Sequence, residues 1–151
     1  MKVMKYSPSL AAAALASIFS LSGCGLADTG AAQEEVDRFH QRWNTNEFKA
    51  IHELSHPDLR SNYTAEELIA SFEGVRNNYG VFKSAKQSSW SVNTNNGVRV
   101  IELKYNSTFE HGSALESFTY QMSGDKPLLA HYNIKAPEDV KKSEGEKKEG
   151  Q

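Results

Sequence analysis

The apolar positions of the chain change period near its middle. Val36, Phe39 and Trp43, with His40 beside them, recur at i, i+3, i+4 and i+7, which predicts one face of a helix. Asn44-Thr45-Asn46 interrupts that face, and Asn46 is placed to cap a second, short helix carrying Phe48, Ile51 and Leu54. Pro57 is expected to end it, because the residue before a proline is pushed out of the α region. A third helix has the best-marked ends. Thr64 and Glu67 form a capping box, Leu68, Ile69, Phe72, Val75 and Tyr79 form the stripe, and Gly80 supplies the stop.

After Gly80 the pattern turns to strands. Segments 81–94, 98–110, 115–123 and 127–135 are rich in Val, Ile, Thr, Tyr and Phe, separated by Asn95-Asn96-Gly97, His111-Gly112-Ser113 and Ser123-Gly124-Asp125. Asn-Gly is a strong hairpin signal. Alternation runs through Phe118, Tyr120 and Met122, and through Leu128, Ala130, Tyr132 and Ile134. Between Val100 and Ile101 the phase slips, which suggests a β-bulge that bends the sheet. The expected fold class is α+β, with N-terminal helices packed on a bent, cone-like antiparallel meander of four strands.

Neither end of the chain fits this domain, expected over 31–136. Leu10 to Leu21 is apolar and alanine-rich, preceded by Lys2 and Lys5 with no acidic residue. It is shorter than the roughly 20 residues that span a bilayer and has the length of a signal-peptide core. From Pro137 to Gln151 the chain is charged and nearly devoid of large apolar residues, so 137–151 is read as a disordered, solvated tail. Removing Lys2 and Lys5 from the 17 basic residues leaves 15 against 19 acidic ones, a formal charge of −4. That balance argues against nucleic acid, which calls for a basic face. Cys24 is the one cysteine, so cysteine-based metal sites and redox pairs are excluded.

Leu21-Ser22-Gly23-Cys24 resembles the lipobox of bacterial lipoproteins: an aliphatic residue, two small ones, then cysteine. The resemblance implies a signal peptide over 1–23, cleavage between Gly23 and Cys24, and a diacylglyceryl thioether on Cys24 with palmitate-type acylation of the new amino group. Residues 24–30 are then a lipidated N-terminus and short linker. Each buried methylene contributes about 0.8 kcal/mol, and two or three acyl chains hold a protein on a membrane where one does not. Gly25 replaces the aspartate that resembles an inner-membrane retention signal, so in a Gram-negative host the expected location is the outer membrane, facing the periplasm.

Three helices before a bent meander is the order of the nuclear-transport-factor-2-like cone. Local strings are also similar: Leu54-Ser55-His56-Pro57-Asp58-Leu59-Arg60, Tyr79-Gly80-Val81, Trp90, and Tyr132-Asn133-Ile134. The resemblance implies a pocket between the helices and the concave face, furnished in some members with an acid–base pair. Pocket candidates are His40, Trp43, Glu116 and Tyr120, with Glu116 in phase with Phe118 and Tyr120. Glu102 and His131 are further titratable residues on strands, and the phase of His131 turns it outward. General acid–base work needs such groups within hydrogen-bond reach.

His52-Glu53-Leu54-Ser55-His56 is an H-E-x-x-H string. In zinc hydrolases that motif holds both histidines on one helix face and uses the glutamate to activate water. Here Pro57 follows at once, and Leu59 and Asn62 stand where the extended motif has glycine and histidine. His52 and His56 are therefore expected at the surface or rim, without a metal. The expectation is a non-enzymatic envelope lipoprotein with no cofactor beyond the covalent lipid on Cys24, reaching the membrane through that anchor. Its domain would bind a protein partner or a small apolar ligand. The alternatives are acid–base catalysis in the cone and zinc hydrolysis at His52 and His56.

Overall fold

A computed structural model describes residues 24–137, with side chains from Asp28 onward. The expected signal peptide, Leu21, Ser22 and Gly23 of the lipobox, the Cys24 side chain, and the charged tail beyond Pro137 lie outside the described residues. Four helices are followed by a four-stranded antiparallel meander against which they pack.

Helix α1 spans Cys24–Asn44. Residues 24–30, expected as linker, are thus helical and continuous with the domain. Ala32, Val36, Phe39, His40 and Trp43 are its buried face, and Asn46 ends the turn after it in a left-handed conformation (φ 59°). Asn46, expected from the sequence to cap the next helix, does not do so. Glu47 holds the cap position of α2 (Phe48–Glu53), and its side chain makes no capping bond.

Pro57 plays the opposite part to the one expected. It opens a helix, α3 (Pro57–Asn62), which the pattern did not predict. A proline suits the first helical position because its missing N–H needs no partner there. The His56 ring Nδ1 accepts from the Asp58 N–H at 3.2 Å and so caps α3. Helix α4 (Ala65–Tyr79) carries the predicted capping box, with Glu67 N–H donating to Thr64 Oγ1 and Thr64 N–H donating to the Glu67 carboxylate.

Strands β1 (Phe82–Asn95), β2 (Val98–Phe109), β3 (Gly112–Ser123) and β4 (Lys126–Lys135) pair in sequence order. Asn96 and Gly97 both have positive φ (50° and 80°), as a two-residue hairpin of the Asn-Gly kind requires. The bulge expected at Val100–Ile101 is absent, since β2 pairs without a shift from Val100 to Phe109 on its β3 side. Register shifts fall instead in β1, where Lys83 and Ser88 are extra, and in β4, where Ala130 is extra. The β4 shift changes the expected phase. Leu129, not Leu128 or Ala130, enters the core, and Tyr132 and Ile134 then follow on the same side. Two bulges and the exposed Lys83 and Lys86 also make the long edge strand β1 a poor template for a further strand.

The core lies between the helices and alternate residues of β2 and β3: Ile101, Leu103, Tyr105 and Phe109, facing Ala114, Phe118 and Tyr120. Where α4 turns into β1, Gly80 has φ +78°, and a Cβ built there would lie 2.7 Å from the Glu110 Cβ. Gly80→Ala is therefore expected to lower stability by about 1–3 kcal/mol through backbone strain. A denaturation midpoint equal to wild type would contradict this.

Candidate functional site

Inside the cone, the alternation of β3 aims Glu116 at the helices, and the buried stripe of α1 aims His40 back at it. His40 Nε2 and Glu116 Oε2 are 2.8 Å apart, with their side chains 4% and 0% exposed. Ser107 Oγ, on the inward face of β2, donates to the same carboxyl oxygen. Tyr132 OH donates to the other, Oε1, at 2.7 Å. Phe82 stacks on the imidazole at 3.6 Å between centroids, and Phe39 and Phe118 meet it edge-on. Burial pushes the Tyr132 phenol far above its ordinary range, and the charge of Glu116 and the bond to it add to the shift, so Tyr132 remains a donor.

The candidate acid–base pair thus exists as a contact, within a closed set of partners. Neither His40 nor Glu116 lines either of the clefts described below. Among the described residues every enclosed side-chain polar atom has a partner. Ser107 and Tyr132 were not anticipated as members. Ser107 was detectable, as the polar position in phase with Leu103, Tyr105 and Phe109 on an otherwise apolar face.

The remaining candidates separate. Trp43 is a core residue, 0% exposed, with its Nε1–H donating to Gly80 O at 3.2 Å, and it lines neither of the clefts described below. Tyr120 is buried but does line a cleft. Glu102 and His131 are exposed, and Glu102 accepts from Ser91 Oγ at 3.4 Å.

The H-E-x-x-H residues fall on different elements. His52 belongs to α2, with Nε2 2.9 Å from Tyr63 O, whereas His56 caps α3. The single helix face that would join them is not formed, because α2 ends at Glu53. Among the described residues no cluster of three or more His, Cys, Asp or Glu is arranged to hold a metal ion.

Two clefts among the described residues combine an apolar floor with polar groups. One, of about 340 Å³, lies between α1, α2 and the β3–β4 hairpin. Phe39, Ile51, Tyr120 and Leu129 form its apolar floor, and Arg38, Arg42, Lys126 and Glu35 supply its charges. The other, of about 290 Å³, lies between α3, α4 and β4, with Leu59, Phe72 and Tyr132 in its wall and the half-exposed Tyr63 at its lip.

No protein-family model matches the chain and no curated protein does. Among solved structures, that of Bdellovibrio bacteriovorus Bd1075 is similar at 11% identity with a TM-score of 0.39. The alignment covers 67% of this chain and 39% of that one, so the chain spans about two-fifths of its length.

Proposed function

We propose that the protein is a lipoprotein of the bacterial envelope, acylated on Cys24. Its cone-like domain acts there as a non-enzymatic binding module for a protein partner or a small ligand. In a Gram-negative host it sits on the outer membrane and faces the periplasm.

The observation that carries the binding reading is the closed network around Glu116. A catalytic pair needs access to substrate and free hydrogen-bonding capacity. His40 and Glu116 are turned toward each other, and Ser107 and Tyr132 occupy the rest of the carboxyl group. The two clefts described above instead pair apolar floors with a few polar groups, as binding sites do. A lipid on Cys24 would sit on helix α1, which runs on into the domain.

Crosslinking in the native host followed by mass spectrometry tests the binding half. Enrichment of a defined protein or ligand over a control lipoprotein is the expected result. A profile identical to that control would overturn it.

A further inference from the structure

The cleft between α1, α2 and the β3–β4 hairpin has a composition that specifies its ligand more closely. We propose that it binds a medium-chain alkyl carboxylate, with the head group on Tyr120 and Arg42 and the tail over Leu54 and Leu129. The assignment deepens the binding reading above and rests on it.

Tyr120 is the first reason. The residue is 2% exposed, yet its hydroxyl has no hydrogen-bond partner among the described residues. Every fully enclosed polar side-chain atom there does have one, so this hydroxyl keeps an opening, and Tyr120 lines the cleft. Burial, with the charge of Glu35 second, raises the phenol well above its ordinary range, so it stays protonated and donates.

Charge is the second reason. Arg38 is engaged by Glu35 at 2.6 Å and Glu34 at 3.2 Å. Arg42 and Lys126 form no ion pair among the described residues. Glu35 is paired with Arg38, and Arg42 and Lys126 add two further cations to the cleft wall. A guanidinium and a phenol together can donate to both oxygens of one carboxylate, and hydrogen bonds to an ionised head group are the strong ones.

The third reason is the floor. Ile51 and Leu129 are buried, while Leu54 is 49% exposed beside them, an apolar shelf open to solvent. At about 340 Å³ the space falls at the lower end of small-molecule sites, which run from about 300 to 1,000 Å³. A short alkyl chain fits this shelf, and the charged rim accounts for its head.

The test uses the full chain in non-ionic detergent, irradiated with decanoic acid carrying a diazirine in its tail. Saturable labelling of peptides from α1–α2 and the β3–β4 hairpin is expected, displaced by decanoate and about ten-fold less well by methyl decanoate. Tyr120→Phe keeps the ring in place, and Arg42→Gln keeps most of the stem. Each should cut labelling about ten-fold, the equivalent of one charge-assisted hydrogen bond, with circular dichroism unchanged. Labelling that neither folded variant affects would overturn the assignment, as would equal competition by the methyl ester. So would better competition by decyl phosphate. If envelope crosslinking captures a partner while decanoate fails to label, this assignment falls and the wider binding reading stands. Labelling without any crosslinked protein partner would support the cleft and restrict the function to a small ligand.

Discussion

Glu116→Ala is expected to destabilise the domain by about 3–5 kcal/mol, the range for removing one partner from a buried pair. Three groups lose their shared acceptor: the His40 ring nitrogen at 2.8 Å, the Ser107 hydroxyl and the Tyr132 phenol. Each lies inside the sheet–helix core, where a donor left unsatisfied costs about 1–3 kcal/mol. Domains of this size are stable by about 5–15 kcal/mol in total, so the loss is a large fraction. Glu116→Gln should cost less, because its amide still offers an oxygen to the hydroxyls. Urea unfolding followed by circular dichroism reads both. An alanine variant within about 1 kcal/mol of wild type, below the cost of one orphaned donor, would mean that the network does not hold the core together.

Trp43→Ala is the second large effect, expected at about 3–5 kcal/mol from lost contacts and the cavity left behind. Trp43 is fully buried and meets Phe39, Phe48, Phe72 and Phe109, thereby linking α1, α2, α4 and β2. Its indole N–H donates to Gly80 O, and its own carbonyl accepts from Arg76 Nε at 3.4 Å. One side chain therefore ties the first helix to the corner where α4 turns into the sheet. A melting temperature lowered by roughly 10 °C or more is the expected reading, at about 4–8 °C per kcal/mol. A shift within a few degrees would show that the aromatic cluster repacks around the loss. Trp43→Phe should lose less, since only part of the ring and the bond to Gly80 are removed.

The order of elements was legible because periodicity is a property of local sequence. The α1 face, the Thr64–Glu67 box and the Asn96-Gly97 turn all recur in the structure as read. What failed was decided by non-local geometry. Pro57 carries two opposite meanings, helix end and helix start, and the His56 ring capping Asp58 favours the second here. The phase slip at Val100 signalled bent strands, but the extra residues lie on the neighbours β1 and β4, where pairing alone reveals them.

The site divides in the same way. Glu116 and His40 were placed on inward faces by alternation and helical spacing, and they do meet. Their enclosure by Ser107 and Tyr132 depends on how β2, β3 and β4 stack side by side, which a one-dimensional pattern does not encode. Trp43 was a pocket candidate because core and pocket aromatics share one pattern. Its burial makes it core. Arg42 and Lys126 come together only because the β3–β4 hairpin folds back toward α1.

The central proposal is that Cys24 holds this domain at the membrane, and labelling cells of the native host with radioactive palmitate tests it most directly. Label is expected on the wild-type protein, which should float with membranes. Cys24→Ser should take up none and keep its N-terminal segment uncleaved. A Cys24→Ser protein that matures normally and still carries label would contradict it.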